Sequence, residues 1–445
     1  MSTPLSLSWR EALSEGNIEA VGYWLAQGVD PNAPVEGLGI TPIAMAASAG
    51  IPAQISGLLI AAGAKMEGSP HHPLIVCAHT GNAPVARLLL SHGAQANQAD
   101  ESGQWALDIS VESGHLEVAK ALLSHGALID KPDKQGTTVI MKAVRDKRLD
   151  MTQMLLDCGA NPNCQDKRGA FALSIACTSF GDPQEEAIVM TLLDKTRRDL
   201  CNDLGCNVLQ LCVAASLPNA VKKLLSEGEP VTHSNKRGIS ILHMAASRES
   251  SDILQMVLQA GGDVRDLSLK GDTPLITATK LGHLDNINLL LDAKSDINAG
   301  DGRETTPLHI AAEQALDDVF HALVARGASL TAVSENGSIL HHAAMGGSEH
   351  LIQWLTRKHI LDNALNPQGR SALHLAAENN CSEAAIALIQ AGSDIHRTTS
   401  DGFDIFQLGG EEFNTKIKVF LAERQSRQLH KYTPAVAGGR GGRRI

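Results

Sequence analysis

Histidine and cysteine are the residues of this chain whose chemistry first invites a functional interpretation. The 445 residues include 18 histidines and 8 cysteines, and both types can ligate zinc or take part in nucleophilic catalysis. A zinc site usually contains paired ligands such as Cys-x-x-Cys, and no such pair occurs. The chain also lacks the G-x-x-x-x-G-K-[ST] phosphate loop, the G-x-S-x-G nucleophile elbow and the H-E-x-x-H helix. We therefore predict that the protein is not an enzyme and has no catalytic residues, no metal site and no cofactor.

Composition and charge restrict the remaining classes of function. The net charge of −11 argues against wholesale wrapping of nucleic acid, which requires many cations. No stretch approaches the roughly 18 consecutive apolar residues of a membrane span, and the N-terminus has no signal-peptide pattern. Scattered cysteines without a disulfide-like spacing suit a reducing compartment. We therefore expect a cytoplasmic protein with no membrane segment.

An internal repeat of about 33 residues organises the chain. One position of the repeat, usually Thr or Ser, precedes an apolar pair, and it recurs at intervals of 31 to 36 residues, most of them 33. The residues at this position are Thr41, His72, Trp105, Thr138, Phe171, Asn207, Ser240, Thr273, Thr306, Ser338, Ser371 and Asp404. A period of this length kept over almost the whole chain is typical of a solenoid.

The repeat resembles the ankyrin-repeat family. Its signature T-P-L-H-x-A-A is matched best by TPLITAT from Thr273, TPLHIAA from Thr306 and SALHLAA from Ser371. The second half of the family pattern recurs as GHLEVAKALLSHGA from Gly114 and GHLDNINLLL from Gly282. The resemblance implies an all-α solenoid of stacked helix-turn-helix units with projecting hairpin turns. It also implies that the histidines of the signature make a structural hydrogen bond near the start of the first helix.

About thirteen units, counting the caps, account for the chain. We expect an N-terminal capping unit at 1–36, tandem repeats at 37–399, a C-terminal capping unit at 400–425 and a disordered Gly/Arg-rich tail at 426–445. The repeat that begins at Phe171 contains three extra residues between its helices, near Phe180. This insertion is either a tolerated surface loop or a functional element that binds a partner or changes the curvature.

The repeat chemistry predicts where helices begin and end. A Thr hydroxyl can cap the first helix, and Pro307 suits the first helical position because its missing N–H needs no partner there. Glycines that follow the second helix are expected in the left-handed conformation. These are Gly93, Gly126, Gly159 and Gly327.

Basic residues recur at the predicted hairpin tips, although the chain is acidic as a whole. The family resemblance places the binding surface at these tips and on the exposed side of the first helices. The candidate partner-binding residues are Lys134, Lys167, Arg168, Lys236, Arg237, Lys270, Arg303, Arg370 and Phe180. Either these cations line up to meet an acidic partner surface, or they simply solvate exposed turns.

Large aromatic residues at two helix-start positions leave a similar choice open. Trp105 and Phe171 replace the usual capping hydroxyl, whose loss costs about 1 kcal/mol. They either pack beneath the hairpin or contact a partner.

We expect a protein-interaction scaffold or adaptor that is monomeric on its own and binds another protein through the hairpin tips and concave face. The alternative is binding of a polyanion or nucleic acid through the basic tips and the tail. The tail contains little aromatic side chain for base stacking, which disfavours this alternative.

Overall fold

A short helix, a turn and a second helix recur along the chain and produce the fold. The computed structural model describes residues 7–66, 72–100, 102–178, 182–360 and 364–432, with side chains up to residue 427. The described residues form two compact units, residues 7–229 (unit 1) and 230–432 (unit 2).

The described part of unit 1 contains seven helix pairs. Its helices are α1 (Trp9–Ser14), α2 (Ile18–Ala26), α3 (Pro42–Ala46), α4 (Ala53–Ala61), α5 (Pro73–Thr80), α6 (Ala83–Ser91), α7 (Ala106–Ser113), α8 (Leu116–Ser124), α9 (Val139–Arg145), α10 (Leu149–Asp157), α11 (Ala172–Ala176), α12 (Pro183–Leu193), α13 (Val208–Ala214) and α14 (Pro218–Ser226).

Unit 2 continues the same pattern and adds one short hairpin. Its elements are α15 (Ile241–Ala246), α16 (Ser251–Gln259), α17 (Pro274–Lys280), α18 (Leu284–Asp292), α19 (Pro307–Glu313), α20 (Asp317–Ala325), β1 (Val333–Ser334), β2 (Gly337–Ser338), α21 (Ile339–Met345), α22 (Glu349–Arg357), α23 (Ala372–Glu378), α24 (Ser382–Ala391), α25 (Ile405–Leu408) and α26 (Glu411–Tyr432). β1 and β2 pair antiparallel.

Within each unit, first helices stack on first helices and second helices on second helices. In unit 2 the first helices α15, α17, α19, α21 and α23 contact one another in that order. The signature alanines permit this close approach, since Ala311 and Ala343 are fully buried. Leucines of the second helices complete the core, and each fully buried one stabilises the fold by roughly 1.5–3 kcal/mol. The structure therefore confirms the all-α repeat architecture.

The helix ends confirm the predicted chemistry. The Thr273 Oγ1 accepts a hydrogen bond from the N–H of Ile276 at 3.1 Å and so caps α17. Gly93, Gly126, Gly159 and Gly327 have φ values between 86° and 93°. This left-handed backbone ends each second helix, and glycine adopts it without the clash that a Cβ would cause.

The C-terminal helix extends beyond the expected boundary of the capping unit. α26 continues to Tyr432, beyond the boundary at residue 425 that we expected for the capping unit. Phe413 and Ile417, on the first turns of α26, are buried. Residues 418 and 422–427 are exposed, and among them Arg424 donates a hydrogen bond to the carbonyl oxygen of Ile389 at 3.1 Å. The remainder of the expected tail lies outside the described residues.

Candidate functional site

Each hairpin tip is shaped by a polar residue that binds the backbone of the turn. At the tip of the hairpin before α19, Asp301 Oδ1 accepts hydrogen bonds from the N–H groups of Arg303 and Thr305, at 2.9 and 3.0 Å. Asn235 binds the N–H groups of Arg237 and Ile239 in the same way. This side-chain turn holds the third residue of the tip away from the helices, so that side chain projects into solvent.

Backbone hydrogen bonds join consecutive tips of unit 2. The N–H of Leu269 donates to the carbonyl oxygen of Arg237, and that of Gly302 donates to Lys270, both at 3.1 Å. The N–H of Glu335 donates to the carbonyl oxygen of Arg303, also at 3.1 Å. The three acceptors hold equivalent positions on three successive hairpins, so Arg237, Lys270 and Arg303 form one row. We call these three residues the tip row.

A glycine makes this close stacking possible. Gly271 has φ +78°, and a Cβ there would lie 2.6 Å from the backbone nitrogen of Gly302. Any side chain at this position would therefore push the next hairpin away, and the tip row depends on the absence of one.

Most of the predicted tip cations are exposed. This group comprises Lys134, Lys167 and Arg168 in unit 1 and Lys236, Arg237, Lys270 and Arg303 in unit 2. In unit 1 the N–H of Lys167 donates to the carbonyl oxygen of Gln135 at 3.0 Å, which joins two tips as in unit 2. Across the described ranges, the ion pairs include none of the three tip-row residues.

Two predicted site residues differ from the rest. Arg370 is half-buried and its guanidinium forms an ion pair with Glu378 of the same repeat. That carboxylate already neutralises Arg370, so it is not available as a tip cation in the way that Arg303 is. Phe180 lies outside the described residues, as does most of the insertion around it.

Apolar side chains lie beside the tip row and were not predicted. Leu269 is 78% exposed and Leu267 is 60% exposed. They flank Ser268, whose side chain is buried, so both leucines extend from the same side of the hairpin. Val333, two repeats further on, is also exposed at the position equivalent to Leu267. An exposed leucine alone needs no explanation, but three apolar side chains beside three cations form a mixed surface.

A groove lies between the hairpins and the first helices of unit 2. Its volume is about 650 Å³, and Lys270 and Arg303 are among the residues that line it, together with Ile310 of α19. Among its acidic residues, Asp272 pairs with Lys280 at 2.7 Å, Glu313 lies 2.9 Å from His342, and Asp301 accepts backbone hydrogen bonds at its own tip. The groove therefore contains charges of both signs, and Lys270 and Arg303 contribute exposed positive charges at its edge.

The signature histidines make the structural contact that the family resemblance implies. His309 Nε2 donates to the carbonyl oxygen of Ala332 at 3.2 Å, while Nδ1 accepts from the N–H of Thr306 at 3.2 Å. His243 makes the same pair of contacts. Burial, together with the smaller effect of the nearby His342, lowers the pKa of His309 to about 4. These neutral imidazoles join a helix to the next hairpin, and their role is structural.

A buried lysine in unit 1 is a feature that the sequence interpretation missed. Lys142 Nζ lies 2.6 Å from Asp108, 3.0 Å from Glu112 and 3.8 Å from Asp133, and its side chain is 4% exposed. Burial lowers the pKa of Lys142, but its hydrogen bonds and charge attraction with Asp108 and Glu112 outweigh this effect and raise it overall. Burial raises the pKa of Asp108 and is only partly offset by Lys142. Both pKa values are raised, which favours the charged form of Lys142 but the neutral form of Asp108. We take both groups as charged, because three carboxylates face one ammonium at short range.

His342 occupies the same signature position in unit 2 as Lys142 does in unit 1. Its side chain is fully buried. Nδ1 lies 2.9 Å from Glu313 Oε2, and Nε2 lies 2.7 Å from the Ser334 hydroxyl. A carboxylate, an imidazole and a hydroxyl also follow one another in this order in the catalytic triad of serine hydrolases. However, Ser334 is buried, does not line the groove, and also accepts from the N–H of Asn336 within its turn. We interpret the arrangement as a polar contact between repeats.

The sequence contains a signal that could have identified Lys142 and His342 as buried polar groups. The position they occupy follows the signature histidine and is apolar in most repeats, for example Ile109, Ile310 and Leu375. A Lys or His there departs from the pattern, and a charged group that is buried requires a partner.

The two aromatic residues at helix starts have different surroundings. Phe171 is fully buried, which confirms packing rather than contact with a partner. Trp105 is partly exposed, and Lys131 Nζ lies 3.3 Å from the centroid of its ring. This cation–π contact covers one face of Trp105.

Neither a metal cluster nor a membrane helix occurs in the described ranges. No group of three or more His, Cys, Asp or Glu side chains there could hold a metal ion. No helix among these residues combines the length and the apolar character needed to cross a bilayer.

Comparison with known proteins identifies the class. A family model described as ankyrin repeats in three copies matches residues 10–100, 53–133, 140–235, 209–301, 242–334 and 308–399. These matches cover most of the chain and follow the helix pairs seen in the structure. The chain belongs to the ankyrin-repeat family.

Individual relatives match only part of the chain. One segment of 102 residues is 33% identical to the transient receptor potential cation channel subfamily A member 1 homolog of Caenorhabditis elegans, covering 22% of this chain and 8% of that protein. A segment of 95 residues is 35% identical to the B-cell lymphoma 3 protein homolog of Mus musculus, covering 20% of this chain and 21% of that protein.

Solved structures of similar fold include two ankyrin-repeat domains. The human ASB11 domain matches with a TM-score of 0.44 and 19% identity, over 48% of this chain and 96% of that one. The Bcl-3 domain matches with a TM-score of 0.41 and 24% identity, over 48% of this chain and 97% of that one. None of these comparisons indicates a catalytic family.

Proposed function

We propose that this protein is an interaction scaffold or adaptor that binds a partner protein through its hairpin tips, with the tip row of unit 2 as the main contact. Ankyrin repeats generally mediate protein–protein interaction, and the family assignment supports this class of function. The observation that carries the proposal is the row of Arg237, Lys270 and Arg303. All three are exposed, stand on successive hairpins and have no carboxylate partner among the described residues.

The charge of the tip row favours a partner with an acidic surface. Such a surface would meet three cations in line, which raises the association rate and selects against basic partners. The exposed leucines beside the row would add apolar contact. Exposed ion pairs alone contribute only about 0.2–1 kcal/mol each, so most of the affinity would come from buried contacts formed around them.

Affinity capture with a matched pair of variants tests the proposal. The tip variant carries Arg237→Glu, Lys270→Glu and Arg303→Glu. We expect the wild-type chain to retain a protein from a native lysate and the folded tip variant to lose it. Rising salt should elute that protein from the wild-type chain, because exposed charges are screened within about 10 Å at 0.1 M ionic strength.

The control variant changes the net charge by the same amount elsewhere in unit 2. It carries Lys294→Glu, Arg357→Glu and Lys358→Glu, which are exposed residues at the ends of second helices. The control should retain the partner. Loss of the partner in both variants would attribute the effect to net charge rather than to the tips. Capture of nucleic acid instead of protein by the wild type would contradict the scaffold and support the polyanion alternative.

Cysteine chemistry supports a cytoplasmic location for this scaffold. All 8 cysteines are free thiols, which suits a reducing compartment. We also propose that the chain is monomeric until it meets its partner, which light scattering coupled to size-exclusion chromatography would check.

A further inference from the structure

We propose that the tip row binds an extended segment of its partner in the polyproline II conformation, with a carboxylate at every third residue. This inference rests on the proposed function, because it names the kind of partner that the tip row recognises. The spacing of the row and the apolar residues beside the cations support it.

The spacing of the repeats sets the period of the ligand. Packed helix layers are separated by about 8–10 Å, so successive members of the tip row, one per repeat, are about that far apart. A polyproline II helix has three residues per turn and rises about 3.1 Å per residue. Every third side chain therefore lies on the same face, about 9 Å from the last, and three such carboxylates match Arg237, Lys270 and Arg303 in register.

A β-strand does not fit this row as well. Its side chains alternate between faces with a rise of about 3.3 Å per residue. Residues on one face are therefore about 6.6 or 13 Å apart, and neither distance matches the repeat. A fully extended ligand would have to miss at least one cation of the row.

A helical ligand would need a much longer segment to make the same contacts. An α-helix brings side chains to the same face about 10 Å apart only after seven residues, so three carboxylates in line would span about fifteen residues. A polyproline II segment reaches the same three positions with about seven residues, and its backbone groups stay available to solvent.

The apolar side chains beside the row suit the other positions of such a segment. Leu267 and Leu269 are exposed next to Lys270, and Ile310 lies at the floor of the groove. Residues between the carboxylates, proline above all, would cover these side chains. The preformed polyproline II conformation also lowers the entropy that the ligand loses on binding.

Synthetic peptides of identical composition test the register. One proline-rich peptide carries Glu at every third position, and a permuted peptide carries the same residues with Glu at every second position. Binding of each labelled peptide to the full chain is measured by fluorescence anisotropy at low salt. We expect the first peptide to bind at least roughly fivefold more tightly, since each exposed ion pair contributes about 1.4- to fivefold in affinity. The tip variant should lose this preference.

A second pair of variants tests the apolar contact. Leu267→Ser with Leu269→Ser should weaken binding of the every-third peptide by roughly threefold or more. Val419→Ser, which removes an exposed apolar side chain from α26, should not change it. Circular dichroism of each variant confirms that the fold is retained.

Several results would overturn the inference. Equal binding of both peptides would show that the tip row attracts acidic peptides only by non-specific charge. Tighter binding of a helical peptide with Glu at every seventh residue would show that the ligand is helical and not in the polyproline II conformation. Absence of binding by either peptide would also refute it. In that case, capture of a protein that the tip variant loses would still support the scaffold, so the two proposals fail separately.

Discussion

Removal of the buried ammonium of Lys142 gives the sharpest test of how the repeats of unit 1 are joined. Lys142 lies on α9, whereas Asp108 and Glu112 lie on α7 of the preceding repeat. The substitution Lys142→Met keeps the approximate length of the side chain but leaves the carboxylates without their cation. A buried charge without a partner is strongly unfavourable, so the stacking of α7 on α9 should weaken.

The size of the effect follows from burial. Breaking a buried ion pair by removing one partner costs about 3–5 kcal/mol. The Asp108 side chain is 6% exposed, whereas those of Glu112 and Asp133 are 32% and 33% exposed. The latter two can hydrate, so the penalty comes mainly from Asp108. We therefore expect a loss of about 3 kcal/mol in the free energy of unfolding, at the lower end of that range.

The loss should depend on pH in a definite direction. Burial already raises the pKa of Asp108, and removal of Lys142 should raise it more. A carboxyl group whose pKa is higher in the folded state than in the unfolded state favours folding at low pH, and this contribution is lost as the pH rises. The variant should therefore be closer to the wild type at pH 5 than at pH 8.

Urea denaturation and hydrogen exchange of the full chain would measure this effect. Exchange in peptides that cover α7 and α9 reports local opening, which matters because repeat arrays need not unfold in one step. The double variant Lys142→Met, Asp108→Leu is the control, since replacement of a whole buried pair by apolar residues is often neutral. A loss below about 1 kcal/mol, no dependence on pH, or no recovery in the double variant would refute the electrostatic account.

Three further substitutions or titrations test other contacts. Gly271→Ala should destabilise unit 2 by about 2–4 kcal/mol through a clash and a left-handed backbone, whereas Gly261→Ala, with a similar φ and open space, should cost only about 1–2 kcal/mol. Hydrogen exchange in peptides of unit 2 would report both losses, and equal losses would contradict the clash. Ala315→Gly should raise the free energy of unfolding by about 0.5–1 kcal/mol, because Ala315 has φ +54°, a conformation that glycine adopts without strain. A lower urea midpoint of unfolding would contradict this. Because the pKa of His309 is lowered in the folded state, the free energy of unfolding should fall as the pH drops from about 6.5 to 4. NMR titration should find the His309 imidazole neutral at pH 6, and a titration midpoint near 6.5 would contradict the burial argument.

The sequence alone determined the repeat, its helices and most of its helix ends. A period of about 33 residues, the TPLHIAA-type signature and the terminal glycines are local patterns, and each specifies backbone conformation through residues close in the chain. The signature histidine could be assigned a structural role for the same reason, because its Nδ1 contact with Thr306 spans only three residues. Exposure of Lys270 and Arg303 was also predictable, since a tip residue beyond a side-chain turn has little protein around it.

Only the tertiary structure decided which charges remain for a partner. Arg370 and Lys270 look equivalent in sequence, yet Glu378 neutralises the first and no described carboxylate pairs with the second. Lys142 meets its carboxylates because the stacking of helices brings together residues about one repeat apart, and no local pattern encodes that meeting. Electrostatic energy depends on the distance and burial of groups from different repeats, so the position of each charge is known only when the repeats are packed.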